Sequence, residues 1–215
     1  MTRTEFDPKK ETQGFSSRRT FANELVRLLD GCESVLDVGC GGLSPARFLP
    51  CARLTGVDIT PSNLEQAKAF GTHDAFFLCD ARELASRFKP GEFEACAALD
   101  VVEHLTKGEG PAFLGELERL ARKRVVVFTP NGFRPQSSKV EGDNQEHLSG
   151  WTPDEMRELG YSVIGMGGLK KLRAESHQLR WEPKFFWAVV SWCSQHLWCR
   201  AHPDSAAAIL CWKDK

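Results

Sequence analysis

The sequence predicts one α/β domain built on a mostly parallel sheet, and three observations lead there. Short apolar runs bounded by turn residues alternate with helix-forming stretches along most of the 215 residues. That length suits one domain with modest insertions, and no internal repeat or low-complexity tract breaks the pattern. The composition, 41% hydrophobic and 27% charged, is that of a chain that buries a core.

The elements follow in order. Residues 1–33 read as an N-terminal helical segment. Ser34-Val35-Leu36-Asp37-Val38-Gly39 is a buried parallel strand by its apolar run and turn ending. Ser44-Pro45 supplies a cap and a first-turn proline for a helix. A second strand, Leu54 to Ile59, leads through Thr60-Pro61 into a helix ending at Phe70. Ala75 to Cys79 is the third strand, ending at Asp80, and Ala95 to Leu99 the fourth, ending at Asp100. A helix over Pro111–Ala121 precedes the fifth strand, Arg124 to Phe128, which is β-branched and apolar. Thr152-Pro153-Asp154-Glu155 starts another helix with acids in its first turn, and Gly160 stops it. Tyr161–Met166 and Ala206–Trp212 complete the strands.

Composition excludes several classes of function. Lys plus Arg is 28 and Asp plus Glu 29, so a net charge of -1 gives no global handle for coating nucleic acid. Met1 to Phe6 has neither an apolar core nor a cleavage site, so no secretory signal is expected and the protein is read as cytoplasmic. The eight cysteines are then free thiols that pack as small hydrophobes. Cys193, His196, Cys199 and His202 recur every three residues, but on a continuous helix successive positions rotate away from one another and four ligands cannot converge. No metal site is expected there.

The chemistry begins at the carboxyl ends of the strands, where ligands bind in such sheets. The first strand ends in Asp37-Val38-Gly39-Cys40-Gly41-Gly42, where glycines let the backbone turn sharply and approach a ligand. Asp58 ends the second strand, 21 residues after Asp37, the distance expected of a ribose-binding carboxylate. Val35 to Gly41 resembles the first motif of class I S-adenosylmethionine-dependent methyltransferases. Gly56-Val57-Asp58-Ile59 resembles the second, Cys79-Asp80-Ala81 the third, and Asp100-Val101-Val102-Glu103-His104-Leu105 the fourth, common in the small-molecule branch. The resemblance runs in order from about Ser34 to Asn131.

It implies a Rossmann-like, doubly wound, mostly parallel seven-stranded sheet with an antiparallel last strand, and S-adenosyl-L-methionine as cofactor. It places Gly39 and Gly41 against the amino-acid part of the cofactor, with Asp37 bracing the turn and Asp58 accepting both ribose hydroxyls. Asp80 would accept the adenine amino group and the Ala81 N–H would meet a ring nitrogen. Ile59 and Asp100 complete the expected cofactor site.

Methyl transfer from a sulfonium is an in-line displacement, and a hydroxyl acceptor also needs a base or a metal. Glu103, His104, Asn131 and His147 lie beyond the fourth and fifth strands and are expected over the cofactor edge, with Glu103, His104 and His147 as catalytic candidates. Asp100-x-x-Glu103-His104 with the later His147 is similar to the metal-binding E-x-x-E-H and distant His of small-RNA 2′-O-methyltransferases, as is Thr129-Pro130-Asn131 to the segment after their fifth strand. Asp100 replaces Glu, and Leu105 stands where that family has a second His. The favoured reading is therefore no metal, with Glu103-His104 capping and orienting the helix after the fourth strand.

Residues 129–150, rich in Gly, Pro, Gln, Ser and Asn, are long for a connection and read either as a substrate lid lined by Gln136, Asn144 and His147 or as a mobile connector. Residues 169–204 form an insertion between the last two strands. Leu169 to Arg200 carries six Lys and Arg against Glu175 and Glu182, so this stretch stands at +4 and the rest of the chain at -5. Phe185 to Cys199 has no formal charge, and as a helix of about 22 Å it is too short to span a core of about 30 Å. Trp181, Phe185, Val189, Trp192 and His196 share one helical face, wider in apolar content than one buried stripe needs. A roof over the sheet edge, a peripheral membrane contact and a homodimer through residues 181–199 are the competing roles.

The sequence is thus read as a methyltransferase acting on a small-molecule acceptor, lipid- or glycan-linked in one version. A metal-dependent RNA 2′-O-methyltransferase and a noncatalytic cofactor-binding interaction module are the alternatives.

Overall fold

The computed structural model describes residues 17–136, 145–174 and 178–215. Seven strands form one sheet: β1 (Ser34–Val38), β2 (Arg53–Asp58), β3 (Ala75–Leu78), β4 (Phe93–Leu99), β5 (Ala121–Pro130), β6 (Ser162–Leu169) and β7 (Ala206–Asp214). Their spatial order is β3-β2-β1-β4-β5-β7-β6. The first five pair in parallel, while β7 runs antiparallel to both β5 and β6. The strand order reverses between β1 and β4, so the crevice there is where a ligand is expected in a doubly wound sheet.

Helices α1 (Ser17–Leu28), α2 (Pro61–Phe70), α3 (Gly110–Leu120), α4 (Pro153–Glu158) and α5 (Lys184–Ser194) surround the sheet. One core joins Phe113, Leu114 and Leu117 of α3 and Met156 of α4 to Leu36, Cys96 and Val125 of the strands. A second, on the opposite face, joins Leu25 and Leu28 of α1 to Val35, Leu54, Val126 and Leu210. Successive side chains of β1 and β5 thus enter different cores, which is why these strands read as unbroken apolar runs. At α4, Thr152 and Glu155 form a reciprocal capping box.

Three elements differ from expectation. After Ser44-Pro45 the chain makes only a 3₁₀ turn, Pro45–Phe48, although the Ser44 hydroxyl does accept from the Ala46 N–H. Thr60 precedes α2 without a side-chain cap bond. In the insertion, the helix starts at Lys184, leaving Trp181 outside it, and continues into a π-helical turn over Gln195–Cys199.

The insertion also packs with an unexpected face. Ser191, Gln195 and Cys199 are the buried residues of its helix and π-helical turn, whereas Phe185 is 75% and Leu197 83% exposed. Its inward side meets β6 through polar bonds. The Gln195 amide donates to the Gly165 carbonyl at 2.8 Å and accepts from the Gly168 N–H at 3.0 Å, and the Ser194 hydroxyl accepts from the Leu169 N–H at 3.1 Å. The approach is close because β6 has glycines there: a Cβ on Gly165 would lie 2.1 Å from the Cys199 carbonyl oxygen, and one on Gly168 2.5 Å from that of Ser191. The cysteine–histidine series does not gather. His202 stacks on Trp198 with ring centres 3.6 Å apart, His196 lies on Trp192, and Cys199 is buried.

Candidate active site

At the end of β1 the chain turns through Gly39 and Gly41, both at positive φ. The turn is pinned to β2: the Gly39 and Cys40 N–H groups donate to the Val57 carbonyl at 2.8 and 2.9 Å. Gly39 is required twice over, since a Cβ there would stand 2.4 Å from the Val101 side chain. The glycine loop therefore lies directly against the segment that follows β4.

Asp58 closes this arrangement. One carboxylate oxygen accepts from the Gly41 N–H at 2.8 Å, and the other from the Thr60 N–H at 2.8 Å and the Asn63 amide at 3.2 Å. A carboxylate has about four acceptor positions, so one remains for a ligand hydroxyl without breaking a bond, and a second if Asn63 yields. Ile59, the next residue, is an exposed apolar side chain at the strand end.

Asp37 behaves differently from its expected bracing of the turn. Its carboxylate is fully buried and meets His73 Nε2 at 3.0 Å, while His73 Nδ1 meets the Thr72 hydroxyl at 2.8 Å. Its other oxygen has no partner among the described residues. Gly56, between them, carries no Cβ because one would lie 2.9 Å from Cys40 Sγ and 3.1 Å from the His73 ring. Neither His73 nor Asn63 stands out in the sequence, because both reach the site across strands rather than along a motif.

Asp80 caps the 3₁₀ turn Ala81–Ser86, accepting from the Arg82 N–H at 2.8 Å. The Arg82 guanidinium also grips it, at 3.0 and 2.5 Å, and holds the carboxyl below its ordinary range. Ala81 opens the turn, so its N–H is one the turn itself cannot satisfy.

On the acceptor side, Glu103 lies in the 3₁₀ turn Val102–His104 and is buried, so it does not cap α3. The cap position of α3 is Glu109, whose carboxylate takes the Thr106 hydroxyl and N–H. One Glu103 oxygen accepts from the Thr129 hydroxyl at 3.0 Å, while no donor among the described residues reaches the other. Burial, with the neighbouring Asp100 carboxyl second, pushes Glu103 well above the carboxylate range. A proton on the unpartnered oxygen satisfies it and can be donated to Asp100. Asp100 stands at the open end of β4 with φ +57, a left-handed conformation that Asp tolerates better than most residues. Although the residue is exposed, partial desolvation of its carboxyl in the crevice raises it to about 6.

The return arm of the 129–150 loop is docked on this turn: the Leu148 and Ser149 N–H groups donate to the Glu103 carbonyl at 2.8 and 3.0 Å. This brings His147 to His104, with ring centres 5.0 Å apart. One ligand atom each of Glu103, His104 and His147 lies within 4.8 Å of the others. His104 Nδ1 faces the Glu146 carbonyl at 2.9 Å, and His147 Nδ1 the Arg134 carbonyl at 2.8 Å. In the neutral rings these contacts place the proton on Nδ1 and the lone pair on Nε2. Burial lowers the pKa of His147 below its ordinary value, outweighing the opposing bond to the Arg134 carbonyl, and the neighbouring His104 adds to the lowering, which favours the neutral ring.

Asn131 does not join them. It is buried and its amide donates to the Pro203, Asp204 and Ala206 carbonyls, fixing the turn before β7. Gln136 bridges the two arms of the loop by donating to the Gln145 carbonyl at 2.9 Å, and Asn144 lies outside the described residues. Thr129 was the partner that sequence reasoning missed, although its place at the end of β5 beside β4 is the signal that could have found it.

A reversed strand order, a glycine turn and strand-end carboxylates define a nucleotide-cofactor domain of the doubly wound class. Comparison with known proteins makes this specific. A family model described as a methyltransferase domain matches residues 36–129. A ubiquinone biosynthesis O-methyltransferase from Dechloromonas aromatica is 35% identical over 164 residues, covering 60% of this chain and 69% of that protein. A trans-aconitate 2-methyltransferase from Enterobacter is 42% identical over 82 residues, 36% of this chain and only 31% of that protein. Among solved structures, a SAM-dependent methyltransferase from Archaeoglobus fulgidus superposes with a TM-score of 0.60 at 16% identity, covering 95% of this chain and 97% of that one. The chain belongs to the class I S-adenosylmethionine-dependent methyltransferases, and S-adenosyl-L-methionine is the cofactor of that class.

The buried Glu103 carboxyl makes stability depend on pH. Its folded pKa is raised, so the native state binds more protons than the unfolded one and stability falls as pH rises from the unfolded value through the folded one. Glu103→Gln removes this titration. Urea unfolding should find the variant more stable than wild type at pH 8, on the order of 1–3 kcal/mol, with the difference vanishing near pH 4. An equal difference at both values would contradict the assignment.

Proposed function

We propose that the protein methylates an oxygen of a small-molecule acceptor, with His147 as general base. The observation that carries this is the gathering of Glu103, His104 and His147 beside the glycine loop, with the imidazole lone pairs on Nε2. The cofactor, when bound, supplies an electrophilic methyl group and leaves as a neutral thioether. The residues present suit it: Gly39 turns the loop closely against Val101, Gly41 leaves open space for the amino-acid end, Asp58 retains acceptor capacity for the ribose, and Ile59 offers an apolar surface at the strand end. Ala81 N–H and Asp80 are the adenine contacts in this reading, with Asp80 already shared with Arg82. Asp37 then acts from behind the loop through His73, and Asp100 faces both the loop and Glu103.

His147 Nε2 takes the acceptor hydroxyl proton while the Arg134 carbonyl holds the Nδ1 proton and stabilises the imidazolium that results. Protonated Glu103 presents a donor beside the acceptor site, and Thr129 fixes its orientation. The Dechloromonas relative's name supports oxygen as the methylated atom.

A second reading rests on the same three residues. Two imidazoles and a carboxylate converging within 4.8 Å fit a divalent cation, and backbone carbonyls on both Nδ1 atoms are the usual support for metal-binding imidazoles. A cation held by Glu103, His104 and His147 would lower the effective pKa of an acceptor hydroxyl.

For partners, the outward aromatic face of α5 is proposed to rest on an anionic bilayer surface. Phe185, Phe186, Trp192 and Trp198 stand exposed, with Arg180 and Lys184 at the helix start. No helix among the described residues is long and apolar enough to cross a membrane.

Four experiments test these assignments. Asp58→Ala should weaken S-adenosylhomocysteine binding about tenfold or more by calorimetry, about 1.4 kcal/mol. His147→Gln should leave that affinity intact, lower turnover on a small-molecule extract by roughly 10² or more, and abolish the acid limb of the wild-type profile below pH 6.5. Retained activity in His147→Gln would remove the base from the mechanism.

Titration of wild type with Mn²⁺ should give one binding event, lost in His104→Ala, if the cation reading holds, and no heat if His147 acts alone. Co-sedimentation should carry the protein down with phosphatidylglycerol vesicles but not with neutral ones, and Phe185→Ser with Trp198→Ser should release it. No sedimentation with either, or self-association that the same double variant abolishes, would replace the membrane by a second copy as the occupant.

A further inference from the structure

Arg134, whose carbonyl holds His147 Nδ1, gathers two further cations, Lys170 and Arg173, around its guanidinium. Arg134 is only 7% exposed. One of its terminal nitrogens donates to the Ala174 carbonyl at 3.3 Å, and its Nε has no partner among the described residues. Lys170 reaches the same segment from the 3₁₀ turn that follows β6, its ammonium donating to the Asn131 carbonyl at 2.6 Å and lying 3.3 Å from where a Gly132 Cβ would be. Arg173 is held behind them by the Gly167 carbonyl at 2.9 Å and the Ser191 hydroxyl at 3.3 Å. All these oxygens are neutral, and no carboxylate pairs with Arg134 or Lys170 among the described ion pairs.

Arg134 is buried, Arg173 half-buried and Lys170 exposed, and holding three cations together around a buried guanidinium is costly unless an anion joins them. The strain appears in their titration: burial and then the Arg134 charge lower both Lys170 and Arg173. The place matters as much as the charge. The Arg134 carbonyl is the group that holds His147 Nδ1, so guanidinium and base are anchored on one residue. Asn131, whose amide is committed to the 203–206 turn, offers its carbonyl to Lys170 and fixes the ammonium at the root of the same loop.

We propose that Arg134 and Lys170, backed by Arg173, form a subsite for an oxyanion carried by the acceptor, a carboxylate or a phosphate ester group. It orients the acceptor so that its nucleophilic oxygen faces His147. The assignment deepens the small-molecule reading above and rests on it. An Arg fork and a Lys point charge bind either oxyanion in bidentate or charge-assisted fashion.

The test uses the full chain saturated with S-adenosylhomocysteine and titrated by calorimetry with inorganic phosphate and, separately, with benzoate. At least one probe should bind wild type, about tenfold more weakly to Arg134→Gln and to Lys170→Gln, with Lys170→Arg recovering most of the affinity. Tighter phosphate binding assigns a phosphate ester, and tighter benzoate binding a carboxylate. S-adenosylhomocysteine affinity, measured first on each protein, should stay the same, so its loss would indict the cofactor site and not this one. Absence of binding by both probes to wild type, or equal affinity in wild type and both glutamine variants, overturns the proposal.

Discussion

Asp58 is the constraint on which the cofactor side depends. Its carboxylate takes an N–H from the glycine loop, another from the residue before α2, and the amide of Asn63 within α2. Loop, strand end and helix are thereby one unit, set before any ligand arrives. A loop made of Cys40, Gly41 and Gly42 would otherwise be entropically expensive to hold. The same oxygens that fix the loop retain one acceptor position, so the proposed ribose contact would draw on the group that already holds the structure. Behind it, Asp37, His73 and Thr72 form a buried polar line that keeps β1 and the residues before β3 in register.

On the acceptor side the organising fact is a carboxyl that has left water. Glu103 has one hydroxyl donor, a raised pKa and the loop's return arm bound to its own backbone carbonyl. A buried ionised carboxylate without a counter-charge costs several kcal/mol, so the group must hold a proton or a cation. Either state orders the same neighbours. This explains why the general-base and metal readings converge on identical residues and why the 145–150 arm is docked and not a loose connector.

Much of this was legible in the sequence because it is carried by local signals. Apolar runs closing at Gly39 and beside Asp58, Asp80 and Asp100 located four strand ends, and Gly39 and Gly41 located the turn. The juxtaposition of Glu103 with His147 followed only from a resemblance, and its structural role was misread as helix capping, because the bond that matters comes from Thr129 on the neighbouring strand. His73, Asn63 and Arg134 were illegible for the same reason: each acts across the sheet or between loops, where sequence separation carries no signal. The Ser44-Pro45 start was correctly read as a cap, but what it caps is a single turn, since the chain must reach β2 within a few residues.

The α5 helix inverts the ordinary rule for an amphipathic element. Its stripe of Phe and Trp predicts an apolar face against the sheet, yet the sheet edge receives Ser191, Ser194 and Gln195. The reason lies in β6. Its glycines at 165, 167 and 168 present backbone and no side chains, so the best partner is a helix whose short polar groups can bond to exposed carbonyls and N–H groups. Those bonds also cover an edge strand that would otherwise be open to pairing. Since the helix is held by its polar side, the aromatic side is not needed to hold it. Phe185, Phe186 and Trp198 accordingly stand outward, where a contact other than the sheet can reach them.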